Sequence, residues 1–447
     1  MQANSSAPLV VLDGMNLSLE KGTGIATYSR NLSLALGQLG YRVGVLYGQW
    51  SPDQGDPMLR EAMFFDSRPP AQSWLKRQQG TLIDVARTTL GGGFRAVEVP
   101  VTGRVIRDSH RARLPHFDTL YNSRALFLRA HRVFNQTRRI SEVRLPETPA
   151  VMHWTYPIPL RVPGALNLYT LHDLIPLRLP YTTLDNKRRY LRLLRRLVEA
   201  GDKLVTVSEC SRRDIIDILG VPESSVINTY QAVDMPPRLR DKPDEQVRKE
   251  LRGLFNLEAK GYFLFFGAIE PKKNVARLVE AYLASGVRTP LIVVGNLAWK
   301  SDDEMRLLKA HLAASEGHED GARIRHIDYV PFSVLVSLIR GAKATLFPSL
   351  YEGFGLPVLE SMLLGTPVMS SNTSSLPEVA GEAALLVDPY DSQAITQGIE
   401  RLDGDSALRR RLSLAGKARA ARFDGDAYRH ALARLYTDLG VAPPVAA

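Results

Sequence analysis

The feature that most restricts the fold of this chain is a recurring unit of sequence. A short apolar run leads into a glycine-bearing turn, a segment with apolar residues at helical spacing follows, and another apolar run closes the unit. Leu9–Leu12 (LVVL) ends at Asp13-Gly14, as a buried strand entering a turn does. After Gly22-Thr23-Gly24, the residues Ile25, Tyr28, Leu32, Leu36 and Leu39 recur at helical spacing, Gly40 stops the helix, and Arg42–Tyr47 (RVGVLY) is the next strand. A helix between two strands makes those strands parallel neighbours. The alternation returns with Ala150–Trp154, Leu168–Leu171, an Arg-rich helix over Lys187–Glu199, a strand over Lys203–Val207, a helix opening near Ser211 and a strand at Val226–Thr229. Residues Gly48–Pro149 show no such order; they hold Gly91-Gly92-Gly93 and an Arg-rich stretch of helical character.

At Met235–Asp244 (MPPRLRDKPD) three prolines and several charges mark a linker, and the pattern then starts afresh. Tyr262–Gly267, Leu291–Gly295, Ile324–Ile327, Ala344–Phe347 and Pro367–Ser370 read as strands, with Gly365 ending a helix that Pro357 begins. Ala407–Leu439 is amphipathic and helical, with an interruption at Asp424-Gly425. A chain of 447 residues also exceeds what one hydrophobic core organises. The expected class is α/β: two doubly wound, Rossmann-like domains, 1–237 and 238–419, facing each other across a cleft. The helix at about 420–440 is expected to pack back onto the first domain.

Composition narrows the function classes. Hydrophobic residues at 45% and charged residues at 23% exclude wholesale disorder. No apolar run reaches the roughly 18–20 residues that span a bilayer. The opening MQANSSAPLVVLDG lacks the layout of a signal peptide, so none is expected. The single cysteine, Cys210, excludes an internal disulfide and a cysteine-rich zinc site and points to a reducing cytoplasm. The net charge of +10 is uneven: residues 1–235 hold 30 Lys/Arg against 21 Asp/Glu, and the remainder 27 against 26. Val101–Leu145 alone carries ten Arg and three acids. Such a bias reads as a polyanionic partner (nucleic acid, an anionic membrane face or a phosphorylated substrate) or as a solvated charged surface. In Asn186–Glu199, Tyr190, Leu193, Leu194 and Leu197 stand among Arg188, Arg189, Arg192, Arg195 and Arg196. A helix of this kind either docks on anionic headgroups or packs its leucines on a sheet with its arginines in water.

The stretch with most chemical content is Glu352–Glu360 (EGFGLPVLE). Its two carboxylates flank a turn that Pro357 converts into a helix start. The N–H groups of Gly353, Phe354, Gly355 and Leu356 are thereby free to cradle sugar hydroxyls or phosphate oxygens. Glu352 lies on the loop and Glu360 about one turn into the helix, where both can face one cavity. Paired acids also serve glycosidases, which need them flanking one scissile bond; a strand–loop–helix corner with solvent-exposed glutamates is the other account, and the nine-residue combination disfavours it. After Tyr262–Gly267 comes AIEPKKN, whose Lys272 and Lys273 stand at a sheet mouth suited to a diphosphate, or in a merely solvated turn. His172-Asp173 follows a strand, while His153 reads as a satisfied sheet-end residue. Ser208 and Arg213 suit a phosphate or simply a helix N-terminus. Tyr351 either stacks near a nucleotide or walls the cleft. Gly22 and Gly24 serve either a ligand loop or helix entry, and no third glycine stands in register, which argues against a dinucleotide oxidoreductase.

KGTGIA (Lys21–Ala26), LHDLIP (Leu171–Pro176), TVSECSRRDI (Thr206–Ile215), QAVD (Gln231–Asp234), EPKKN (Glu270–Asn274), FPSLYEGFGLPVLE (Phe347–Glu360) and SSLPEVAGEAALLVDP (Ser374–Pro389) follow one another in a telling order. That order and spacing resemble the retaining glycosyltransferases of family 4, which have the GT-B fold. The resemblance runs from Asp13 to about Asp391 and is weakest over Gly48–Pro149. It implies that Glu352 hydrogen-bonds the donor sugar and supports developing positive charge, that Glu360 accepts from ribose hydroxyls, and that Lys273 neutralises the diphosphate. It also implies that His172 contacts the reacting sugar with Asp173 beside it, and that Gly22 and Gly24 close over the diphosphate near the acceptor. Two positions depart from the family pattern: Ala268 stands where an arginine is common, leaving Lys272 to compensate, and Ala232 stands where a glycine is usual.

The implied activity is transfer of a hexose from a GDP-, UDP- or dTDP-sugar to a lipid-linked or oligosaccharide acceptor in cell-surface polysaccharide assembly. LHDLIP and PKKN look most like mannosyl- or rhamnosyltransferases. No cofactor is expected, and no metal, because no Asp-x-Asp sits at a suitable place and lysine charge would serve the diphosphate. The expected location is cytoplasmic, peripheral on the inner face of the cytoplasmic membrane. The alternative is a basic nucleic-acid- or polyanion-binding protein on a nucleotide-type α/β fold, although aromatic–basic interleaving is missing.

Overall fold

The computed structural model describes residues 7–18, 24–52, 54–66, 74–105, 114–298, 306 and 323–444. The first half supplies β1 (Leu9–Asp13), β2 (Arg42–Tyr47), β3 (Phe94–Arg95), β4 (Val97–Val99), β5 (Thr119–Asn122), β6 (Ser141–Arg144), β7 (Val151–Trp154), β8 (Leu160–Arg161), β9 (Leu166–Thr170), β10 (Lys203–Thr206) and β11 (Val226–Asn228). Eight of these form one sheet in the order β11–β10–β9–β7–β1–β2–β5–β4. β1 is central, with Leu12 level with Val45 of β2 and His153 of β7. The second half supplies β12 (Phe263–Phe266), β13 (Leu291–Val294), β14 (Ile324–Ile327), β15 (Ala344–Phe347), β16 (Val368–Ser371) and β17 (Leu385–Val387). They form a parallel sheet in the order β14–β13–β12–β15–β16–β17. The runs FLFF and LIVV are buried along their whole length, which is why they read as unbroken apolar stretches.

The first sheet is not purely parallel. β4 runs antiparallel to β5, and as an edge strand it has no second neighbour to dictate its direction. β3, β6 and β8 make a separate short sheet. The stretch 48–149, which shows no alternation in its sequence, thus holds the irregular edge of the domain.

The helices that bear on the site are α1 (Gly24–Gln38), α2 (Leu126–Thr137), α3 (Lys187–Ala200), α4 (Glu209–Leu219), α5 (Val275–Ala284), α6 (Leu356–Leu363), α7 (Leu376–Ala380), α8 (Ser406–Ala420) and α9 (Gly425–Asp438). In α3, Leu193, Leu194 and Leu197 belong to the core under the first sheet, with Tyr190 packed against it and Arg188, Arg189, Arg192, Arg195 and Arg196 exposed. The leucines are therefore structural, and any hold this helix has on a membrane comes from charge. No helix among the described residues is long and apolar enough to cross a membrane.

The chain passes between the two sheets twice, once after β11 and once between α8 and α9. The crossings meet where the Val233 N–H donates to the Phe423 carbonyl at 2.8 Å. α9 then lies against α1, and the Tyr41 hydroxyl beyond α1 donates to Val441 O at 2.6 Å. The Tyr436 hydroxyl of α9 lies 2.9 Å from His153 Nδ1, and His153 Nε2 is 2.9 Å from Thr170 Oγ1. Burial, with a smaller push from His172, lowers the His153 pKa to about 3, so both ring contacts are made by a neutral imidazole.

Tyr436→Phe should cost about 1 kcal/mol by leaving a buried nitrogen short of one partner. Tyr436→Ala should cost about 3–5 kcal/mol through the cavity it opens. Both should show as lowered urea midpoints at unchanged slope. A Tyr436→Ala chain as stable as the parent would mean that α9 does not secure the first sheet.

Candidate active site

The two sheets turn the carboxyl ends of their strands toward one cleft, as open α/β sheets do at ligand sites. On the second domain, β12 runs into Glu270-Pro271-Lys272-Lys273-Asn274 and β15 into the loop that carries Glu352. Asn274 sits at φ +62° and its Nδ2 donates to Pro348 O at 3.0 Å and Pro389 O at 2.8 Å. The Leu350 N–H donates to Lys272 O at 2.8 Å, so the lysine loop and the glutamate loop move as one piece.

Between them lies a buried ion pair. Lys273 and Glu352 are 9% and 7% exposed, and the Lys273 ammonium donates to Glu352 Oε1 at 2.6 Å. The same ammonium stands 4.8 Å from the centre of the Phe347 ring. Burial works to raise the Glu352 pKa, but Lys273 and then Lys272 outweigh it and hold the carboxyl below its ordinary value. For Lys272, burial opposes the charge, while Glu352, Glu270 and Asp173 overcome it and raise its pKa. Glu360 faces the same group of charges: burial raises its pKa to about 7 against the opposing pull of Lys273. The buried Lys273–Glu352 pair is thus flanked by a half-buried lysine, Lys272, and a half-buried glutamate, Glu360.

The turn 352–355 is pinned from α7. Ser375 Oγ lies 2.8 Å from both Glu352 O and Phe354 O, and the Glu352 N–H donates to Ser374 Oγ at 3.0 Å. Gly355 caps α6 at φ +113°, a conformation that favours glycine. No acceptor among the described residues takes the N–H groups of Gly353, Phe354, Gly355 and Leu356. The Phe354 ring turns away from the cleft and packs with Tyr230 and Phe423 near the crossings, and Leu356 packs on the core.

On the first domain, His172 and Asp173 follow β9. Nε2 of His172 donates to Thr155 O at 3.0 Å, which leaves Nδ1 as an acceptor, and burial lowers the ring's pKa. Tyr28 of α1 meets this ring edge-on at 4.8 Å between centres. Asp173 Oδ1 accepts the Ile175 N–H at 3.0 Å and fixes the turn. These residues reach the second domain: a Cβ on Gly353 would stand 2.5 Å from His172 O and 3.2 Å from Asp173 Oδ2. Only a glycine lets the two loops come this close.

Other predicted residues are placed differently. Ser208 is buried and spent as the cap of α4, accepting the Ser211 N–H at 3.0 Å, so the helix begins at Glu209. Arg213 is exposed and its Nε donates to Glu209 O of its own helix at 3.4 Å. Both belong to the structure of α4, and neither joins the cluster around Glu352. Tyr351 neither stacks in the cleft nor merely walls it: its hydroxyl donates to Asp214 of α4, which also pairs with Arg178. Gly24 opens α1, while Gly22 lies outside the described residues.

Sequence reasoning missed two acids. Glu378 of α7 accepts the N–H groups of Glu209 and Cys210 at 2.7 and 3.0 Å, capping a helix of the other domain. Asp13, at the end of β1, is fully buried, accepts the Thr155 N–H and has its pKa raised to about 6 by burial. Asp13 and the SSLPEVAG stretch were visible as a strand end and a motif, but their partners lie far away in sequence.

Residues 22–235 match the family described as Glycosyltransferase Family 4, and residues 247–419 match Glycosyl transferases group 1. Over 305 residues the chain is 32% identical to the O-antigen chain mannosyltransferase B of Escherichia coli, covering 67% of this chain and 76% of that protein. It is 31% identical over 265 residues to the serotype-specific mannosyltransferase WbdA of Escherichia coli, covering 56% of this chain and 31% of that longer protein. The solved structure of Anabaena Alr3699/HepE in complex with UDP and glucose superposes with a TM-score of 0.61 at 14% identity, covering 96% of this chain and all (100%) of that one. At that identity the likeness speaks for the GT-B fold alone. The nucleic-acid and polyanion alternative finds no counterpart among these matches. With a relative of this identity and coverage, and matches to both halves, the chain belongs to glycosyltransferase family 4 and is a hexosyltransferase of the GT-B fold.

Proposed function

We propose that this enzyme transfers mannose, or else rhamnose, with retention at the anomeric carbon. The donor is a GDP-, UDP- or dTDP-sugar and the acceptor a lipid-linked or oligosaccharide glycan in cell-surface polysaccharide assembly. The observation that carries the reading is the buried Lys273–Glu352 pair at 2.6 Å, set opposite His172. The names of the two Escherichia coli relatives support mannose over other hexoses.

The donor binds mainly to the second domain. Glu360 accepts from the ribose hydroxyls, and the free N–H groups of residues 353–356 receive phosphate or sugar oxygens at the start of α6. Lys273 and Lys272 neutralise the diphosphate, Lys272 standing in for the arginine that Ala268 replaces, so no metal or cofactor is needed. As the diphosphate takes up Lys273, Glu352 loses part of its counter-charge. It then accepts from a sugar hydroxyl and faces the positive charge that develops at the anomeric carbon. Neutral His172 offers Nδ1 to the reacting sugar. The acceptor enters over the first domain, whose exposed arginines support peripheral attachment to the anionic inner face of the cytoplasmic membrane.

Glu352→Gln should fold normally and lose roughly 10²-fold or more in turnover, the scale of one transition-state stabiliser. Turnover near that of the parent would remove Glu352 from the chemistry. Lys273→Ala should weaken nucleoside diphosphate binding far more than nucleoside binding in calorimetry, since it supplies a charge to phosphate. Equal weakening of both would contradict its role. A panel of GDP-, UDP- and dTDP-sugars, assayed with and without EDTA, tests the donor and the metal-free reading together. Activity lost to EDTA and restored by magnesium or manganese would overturn the latter.

A further inference from the structure

The cleft is not the only place where the fold collects cations. Between the end of α2 and the start of α3 lies a cavity of about 430 Å³, lined by Asn135, Arg138, Asn186, Arg188, Arg189 and Arg192. Four arginines and two asparagines line this open depression, five of the six exposed, and no acidic residue is among them. Farther along the same helix, Arg196 pairs with Glu199 at 2.7 Å. The four arginines of the cavity have no carboxylate partner among the described residues.

The backbone adds to this field. α3 is capped by Asn186, whose Oδ1 accepts the Arg189 N–H at 3.0 Å. Its first turn holds no acid and instead carries Lys187, Arg188 and Arg189. Cations at a helix N-terminus oppose the helix dipole, so a first turn built this way is stabilised by a bound anion. Arg138 sits just past α2 at φ +62°, a conformation in which an arginine is uncommon, and its guanidinium donates to Asn135 O at 2.6 Å. The Asn135 side-chain oxygen is buried without a partner; turned over, that carboxamide presents N–H groups instead. Burial, and then the charge of Arg189, push His131 down to about 4, so this neighbour of the cavity adds no charge of its own.

We propose that this cavity is a binding site for a phosphate or diphosphate group, gripped by the forks of Arg138, Arg188, Arg189 and Arg192 at the N-terminus of α3. Its place in the fold gives the group a use. On the opposite, core-facing side of the same helix the Tyr190 hydroxyl reaches Asp173 O at 3.5 Å, which ties α3 to the loop that carries His172. The phosphate comes either from the acceptor or from a phospholipid headgroup at the membrane surface. The proposal stands on the cavity; only the background variant of its test uses the diphosphate role given to Lys273 above.

The test is calorimetric titration of inorganic pyrophosphate, at low salt, into the full chain carrying Lys273→Ala, which weakens the competing site in the cleft. Added to that background, Arg188→Gln with Arg192→Gln should weaken binding by about tenfold or more, the loss expected from charge-assisted hydrogen bonds. Arg195→Gln with Arg196→Gln removes the same charge from exposed positions of the same helix outside the cavity, and should change binding less than about twofold. Equal weakening by the two pairs, or no saturable binding at all, overturns the site. Sedimentation with phosphatidylglycerol–phosphatidylcholine vesicles identifies the source. A larger loss from the cavity pair assigns a headgroup, and equal losses beside a selective pyrophosphate effect assign the acceptor's phosphate.

Discussion

The rest of the site depends on the ion pair between Lys273 and Glu352. Two charges taken out of water lose solvation worth several kcal/mol each, and close contact alone seldom repays it. Here the surroundings complete the compensation. The ammonium lies over the Phe347 ring, Lys272 adds a second positive charge, and the loop beneath is tied to Pro348 and Pro389 through Asn274. Such a pair is poor material for stability and good material for chemistry, because an incoming dianion can exchange for one partner. The protein has already met the cost of desolvating both groups, so a ligand need only redistribute the field.

That field is useful only while the two domains remain together, and the structure shows what holds them. Glu378 caps α4 across the cleft, Tyr351 donates to Asp214, and Ser211 Oγ donates to His172 O at 2.9 Å while lying 3.3 Å from Gly353 O. Each tie joins a backbone group or a short side chain, so closure is judged over distances of about 3 Å. The two chain crossings are bonded to each other through Val233 and Phe423, and Phe354 packs its ring there. The turn with free N–H groups is thus anchored where the chain crosses between the two domains.

Much of this was legible in the sequence where the determinants are local. β12 and β15 are unbroken apolar runs, EPKKN and EGFGLPVLE carry their loop conformations in Asn274, Gly355 and Pro357, and the structure brings Lys272, Lys273, Glu352, Glu360, His172 and Asp173 to one cleft. What stayed hidden depends on partners far off in the chain. Nothing near Glu378 announces that it caps a helix 169 residues earlier. Ser208 and Arg213 suit a phosphate as well as they suit a helix start, and their bonds to the Ser211 N–H and to Glu209 O within α4 could not be read from the sequence. The leucines of α3 follow one pattern whether they face a lipid or a sheet, so periodicity could not choose. Along 48–149 the strands are two to four residues long and partly at an edge, too short for an apolar run to register.

The last described helix carries an influence on His172 that its distance in sequence conceals. Tyr436 of α9 holds His153 by one nitrogen, His153 holds Thr170 by the other, and Thr170 Oγ1 lies 3.1 Å from the Tyr28 hydroxyl. The Tyr28 ring in turn meets His172 edge-on. All of these groups are buried, so their hydrogen bonds cannot be exchanged for water without cost, and each one limits the rotation of the next. The neutral state of His153 is part of the arrangement. A proton there would place a positive charge near His172, and burial keeps it off by lowering the pKa to about 3. The return of the chain from the second domain to the first therefore does more than close the molecule. It sets the face that Tyr28 presents to His172, a ring whose Nε2 is held by Thr155 O.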